Sequence, residues 1–153
     1  MSPAGAFTFV LHSHLPYARM AGRWPHGEEW IHEATAETYV SLLQALYDLK
    51  EEGVEYRLTI GITPVLGEQL ADEDVKDHFD QYLESKIHAA ASDVVRFQEA
   101  GDSHLEYLAG FYRDWYTGVK RAFDVRFGRD LNGAFKALQD EGYIEIITSA
   151  ATH

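Results

Sequence analysis

Apolar residues along this chain recur with two different periods, and the alternation between them lays out the elements. Ala6-Phe7-Thr8-Phe9-Val10-Leu11 is short, aromatic and apolar at nearly every position. Such a run predicts a strand buried on both faces, as in a parallel sheet. A polar, aromatic loop follows, from His12 to about His32. Tyr39, Leu42, Leu43, Leu46 and Leu49 then stand at three- and four-residue spacing, which predicts a helix with Thr35 as N-cap and Gly53 at its close. Residues 56–62 read as a second strand, ended by Thr63-Pro64 because proline has no N–H for a ladder. Strand, helix, strand is the signature of a parallel α/β fold.

From Asp72 the helical period takes over. Val75, Phe79, Tyr82, Leu83, Ile87, Ala90, Ala91 and Val94 form one long stripe, and Leu105, Leu108, Tyr112, Trp115, Val119 and Phe123 form a second. Two antiparallel helices joined at Ala100-Gly101-Asp102-Ser103 are expected, a helical insertion over about 68–127 that exceeds what a crossover needs. A short helix with Leu131, Phe135 and Leu138 ends at Gly142, and residues 143–148 read as a third strand. No repeat, low-complexity tract or linker interrupts the chain. Three parallel strands cannot close a barrel and would leave an apolar edge after Thr148. The sequence is therefore expected to be part of a larger fold.

Composition narrows the partners. Thirteen Lys and Arg stand against 25 Asp and Glu, a net charge of −12, and no basic cluster offsets it locally. Such a surface repels phosphate backbones, so no nucleic-acid partner is expected. The chain has no cysteine, which excludes disulfides and thiolate sites and fits a reducing cytoplasm. The apolar stretch 4–11 has no basic residue before it and runs straight into His12 and His14, so it reads as a strand rather than a signal peptide. Nothing approaches the ~20 apolar residues of a membrane span, so no membrane partner is expected.

The sharpest local feature is His12-Ser13-His14-Leu15-Pro16-Tyr17, directly after the first strand. Ligands of parallel α/β folds bind beyond the carboxyl ends of the strands. Alternate residues of an extended segment point the same way, so His12 and His14 are placed to face one pocket. Two readings compete with a pair of plain loop histidines. Paired histidines after a first barrel strand serve as metal ligands in amidohydrolases, but such a site needs further ligands at later strand ends. Only His153 is a candidate, since the second strand ends without one and His78, His88 and His104 fall in the helical insertion as solvated histidines. The other reading is a sugar site, with flat aromatic faces against the pyranose and polar groups on its hydroxyls. The loop supplies Tyr17, Trp24 and Trp30, interleaved with Arg19, Arg23, His26, Glu28, Glu29 and His32.

Four segments, in order, carry a family resemblance. Phe9-Val10-Leu11-His12-Ser13-His14-Leu15-Pro16-Tyr17 resembles the first motif of glycoside hydrolase family 57. Trp24-Pro25-His26-Gly27-Glu28-Glu29-Trp30 is similar to the segment that follows it in the family's branching enzymes. Ile60-Gly61-Ile62-Thr63-Pro64-Val65-Leu66 with Glu68-Gln69-Leu70 resembles their second-strand region, and residues 145–153 resemble their second motif up to its histidine. A lone His-x-His is weak; the four together are specific. The resemblance implies the N-terminal part of a (β/α)₇ barrel, with later strands and a C-terminal helical domain outside this chain. It implies retaining glycosyl transfer that makes α-1,6 branches in a glycogen-like α-glucan, the chemistry of glycogen biosynthesis. The glutamate nucleophile and aspartate acid/base are expected beyond His153, with none of the catalytic carboxylates within the chain. By the same resemblance His12, His14 and His153 line the subsite at the scissile bond, Trp24 and Trp30 contact the glucan, and no metal or other cofactor is required.

Within the chain no acid/base pair is apparent: Glu28 and Glu29 are adjacent and point apart, and Glu145 alternates with Ile144 and Ile146, which turns it to a neighbouring helix or to solvent. Three other functions stay open. They are an α-amylase or 4-α-glucanotransferase on the same scaffold, a carbohydrate-binding remnant without catalysis, and a metal-dependent hydrolase using His12 and His14.

Overall fold

Three short strands, β1 (Val10–Ser13), β2 (Leu58–Ile62) and β3 (Ile144–Ile147), lie parallel in the order β1-β2-β3. The computed structural model describes residues 5–22 and 27–152. Register sets Leu11 beside Ile60 and Ile60 beside Ile146, while the next row is His12, Gly61 and Ile147. The α/β class read from the sequence is the class observed.

Helices separate the strands. Between β1 and β2 run α1 (Glu29–Ala34), a π-helical turn (Thr35–Val40) and α2 (Ser41–Glu51). The helical path begins well before Thr35, which is no cap: it is buried inside the helix and its hydroxyl donates to the Ile31 carbonyl at 2.6 Å. After β2 the chain turns at once into α3 (Pro64–Ala71), where the strand reading saw only a terminator. Thr63 is extended and Pro64 opens the helix, a position where a missing N–H costs nothing.

Next comes a long antiparallel pair, α4 (Glu73–Ala100) and α5 (Ser103–Arg121). Asp72 caps α4 by accepting from the amides of Asp74 and Val75, and Asp102 caps α5 through the amide of Leu105. Gly101 reverses the chain at φ 71°, the left-handed conformation that glycine adopts freely. A second π-helical turn (Ala122–Arg126) and α6 (Leu131–Asp140) lead into β3.

The core sits on one side of the sheet only. Ile60, Leu43, Leu66, Leu83, Leu138 and the rings of Phe79, Phe123 and Phe135 are sealed from solvent there. Phe79 and Phe123 meet edge to face with centroids 4.9 Å apart. The other side, carrying Val10, His12, Thr59, Glu145 and Ile147, is open among the described residues. Val10 and Ile147 are exposed there, and Phe9, just before β1, is 59% exposed. The first strand was expected at residues 6–11 with both faces covered; it lies further along and one face is bare. The shift follows from pairing, because the ladder with β2 starts with Val10 opposite Thr59, where the preceding Phe9 carbonyl accepts from the Thr59 amide at 3.1 Å. The stripe of α5 also fades toward the hairpin tip, where Leu105 and Tyr112 are exposed beyond the reach of the core.

Candidate functional site

β1 delivers His12 as its penultimate residue and His14 just past its end. Ser13, between them, is buried, so alternation turns both imidazoles away from the side that Ser13 faces. His12 stands in the row with Gly61, whose missing side chain gives it room. A Cβ at Gly61 would lie 3.5 Å from His12 Nδ1. Together with Thr63, Ile147, Thr148 and Ser149, His12 lines a small cleft at the carboxyl ends of β2 and β3.

Thr63 borders both histidines, lining the cleft beside His12 and bonding His14. It is buried, its amide donates to the Ser13 carbonyl at 3.2 Å, and its Oγ1 lies 3.1 Å from His14 Nδ1. Thr63, which the sequence marks only as a strand end, thus borders both histidines, bonded to His14 and lining the cleft with His12. The strand-ending Thr-Pro was the available signal, because a helix starting at Pro64 places residue 63 at a strand's carboxyl end. Imidazoles and hydroxyls both donate and accept, a set that suits the hydroxyls of a sugar. Among the described residues no carboxylate lines this cleft. Glu145 lies lower on the open face, exposed, and accepts from the Thr59 hydroxyl at 3.3 Å. A wider groove, along α5 at Tyr107, Phe111 and Trp115, lies on the hairpin and contains none of these residues.

Trp30 stands on the first turn of α1 with 42% of its surface exposed, and it is not among the residues that line the cleft. Trp24 and His153 lie outside the described residues. The chain approaches the cleft again after β3, where the Ala151 carbonyl accepts from the Val65 amide at 3.2 Å. Among the described residues no group of three or more His, Asp or Glu side chains could hold a metal ion.

The loop after β1 is tied back to the helices by charge. Glu28 is buried at the start of α1. Its Oε1 accepts from the Met20 amide at 2.7 Å, and its Oε2 lies 2.6 Å from His78 Nδ1 on α4. His78, expected as a solvated helix residue, is half-buried and holds the loop; His88 and His104 are exposed. Glu29, its sequence neighbour, goes elsewhere and accepts from Lys86 at 3.2 Å. Burial alone would raise the Glu28 pKa, but the Met20 amide, His78 and His32 outweigh it and hold the carboxyl below its ordinary value. A depressed carboxylate stabilises the fold above its unfolded pKa of about 4.3 and loses that contribution as pH falls through the lower folded value. Glu28→Gln turns an acceptor into a donor opposite His78 and should cost about 1–3 kcal/mol at neutral pH. Melting temperatures of the two proteins should differ most near pH 7 and converge in the acid range below about pH 4. A gap independent of pH would show that the carboxylate charge does not hold the loop.

The arrangement can be set beside known proteins. The family model for glycosyl hydrolase family 57 matches residues 8–153. A 1,4-alpha-glucan branching enzyme of Thermococcus kodakarensis is 42% identical over 149 residues, which is 97% of this chain and 21% of the relative. The crystal structure of a GH57-type branching enzyme from Pyrococcus horikoshii superposes with a TM-score of 0.91 at 47% identity, covering 95% of this chain and 27% of that one. The alpha-amylase AmyC of Thermotoga maritima gives a TM-score of 0.83 at 32% identity, with 95% and 27% covered. The chain thus spans about a quarter of the length of the proteins it matches. With the family model matching residues 8–153 and these relatives aligned over nearly the whole of it, the chain belongs to glycosyl hydrolase family 57.

Proposed function

We propose that this chain is the N-terminal portion of the catalytic barrel of an α-glucan branching enzyme acting in glycogen-like glucan synthesis in the cytoplasm. The observation that carries the proposal is Thr63 at the carboxyl ends of parallel strands, bonded to His14 and lining one cleft with His12. The relatives named for branching activity supply its chemistry. In this reading the bare face of the sheet becomes the inside of a (β/α)₇ barrel, and the α4–α5 hairpin is the inserted segment of about 68–127. His12, His14 and His153 bond hydroxyls of the sugar at the scissile bond, while Trp24 and Trp30 hold the glucan chain.

Retaining transfer needs two carboxyl groups ~5–5.5 Å apart, one to attack the anomeric carbon and one to protonate the leaving oxygen. Both are assigned to strands beyond His153. The covalent glycosyl group then passes to a sugar 6-hydroxyl instead of water, which an aromatic wall that excludes water favours. An α-amylase on the same scaffold is the second reading, supported by the Thermotoga maritima superposition.

The test is product analysis on an enzyme that carries this sequence at its N-terminus. Amylose should gain α-1,6 linkages, read by proton NMR, with little rise in reducing ends. A rise in reducing ends without branches selects the amylase reading. Neither change, from a folded protein, ends both.

A further inference from the structure

One polar side chain in the core has no apolar reason to be there. Gln69, on α3, is 1% exposed and sits between the core residues Leu66 and Leu70. Its Oε1 accepts from the Ala18 amide at 2.7 Å, and its Nε2 donates to the Pro16 carbonyl at 3.2 Å and the Val65 carbonyl at 3.1 Å. Both amide protons and the carbonyl are therefore engaged, which offsets the cost of burying them. The two loop partners flank Tyr17, a residue that is 64% exposed. Two more anchors flank Gln69 along the same stretch of chain. Thr63, before α3, holds His14, and Asp72, after it, takes Arg19 Nε at 2.8 Å. Residues 63, 69 and 72 thus pin the loop at 14, 16 and 18, and 19, in matching order.

From this geometry we infer that Gln69 is a positioning residue of the glucan site, fixing the two peptide units that present Tyr17 and, one step back, the imidazole of His14. The inference rests on the reading that this loop meets sugar. Gln69 touches no substrate. It acts by denying the loop its freedom to move, and a displacement of about 1 Å at a reacting group costs on the order of 10²-fold in rate.

Two measurements test it, using an enzyme that carries this sequence. Gln69→Met keeps the volume and removes all three bonds. Gln69→Glu keeps an acceptor for Ala18 and has at most one proton to donate. Hydrogen exchange at the Ala18 amide should be slow in the wild type, fast in Gln69→Met and intermediate in Gln69→Glu. Per folded molecule, kcat on amylose should fall by about 10²-fold in Gln69→Met and less in Gln69→Glu, assayed well below the melting temperature. A merely structural glutamine would lower the melting temperature and leave kcat per folded molecule untouched, which overturns the assignment. Ala18 exchange that ignores both substitutions overturns it as well. If Gln69→Met fails to fold, Gln69→Glu decides alone, and wild-type kcat in it is fatal. A wild-type enzyme that leaves amylose unchanged while Ala18 still responds to Gln69 sinks the functional reading instead, so the two failures are distinguishable.

Discussion

Amylose incubated with a purified chain of residues 1–153 is expected to keep its full iodine absorbance and to gain no branches. Glycosyl transfer with retention runs through a carboxylate nucleophile and a carboxylic acid facing each other across the sugar. Among the described residues the cleft at His12 has no carboxylate in its lining. Glu28 is occupied with Met20 and His78, Glu29 with Lys86, and Glu145 with Thr59. Hydrogen-bonding groups without the nucleophile and acid leave the covalent step without a path, so the missing acceleration is of the order that separates enzymes from water, at least about 10⁶-fold. The assay is a time course of the iodine complex with homogeneous protein. Loss of colour that follows this chain through every purification step would place the reacting carboxylates inside it and overturn the assignment of both to later strands.

The second large effect is expected at His12. In an enzyme carrying this sequence, His12→Ala should lower turnover about 10²–10³-fold, the scale of losing one donor directed at the transition state. The melting temperature should move far less than the rate, because His12 lines the cleft near the carboxyl end of β1 and is not part of the packed core on the helix side of the sheet. Chelators should leave the rate unchanged. A metal-dependent site predicts a stoichiometric ion, loss on chelation and recovery on its return. A plain structural histidine predicts a lower melting temperature with the rate spared. Turnover, metal content and melting temperature of this one variant separate the three, and a spared rate would remove His12 from the site while leaving family membership intact.

What the sequence made legible was whatever depends on neighbours in sequence. The stripes of α4 and α6 announced themselves, since Val75, Phe79 and Leu83, or Leu131, Phe135 and Leu138, repeat at helical spacing and are buried as that spacing requires. So did the place of His14 just past a strand, whereas His12, expected beyond the strand, lies within β1. Features fixed by a distant partner stayed hidden. The apolar run before Val10 looked like strand, but where pairing begins is decided by β2, some fifty residues away. Glu28 looked like a loop carboxylate because nothing nearby in sequence shows His78 arriving from α4 to meet it. Helix α3 was missed for another reason. Thr63-Pro64 ends a strand and starts a helix with the same two residues, and the sequence pattern alone marks only the strand end.

The hairpin of α4 and α5 bears on the order in which the molecule assembles. Its two helices are joined by Gly101 and Asp102 alone, so bringing them together closes almost no loop. Each strand pair, in contrast, closes over whole helices before its first ladder bond forms. Local closure is fast and distant closure slow. The hairpin is thus expected to nucleate folding, bringing Phe79 on α4 to Phe123 just past α5. Destabilising changes at that contact should slow folding, whereas changes along β1 and β3 should instead hasten unfolding.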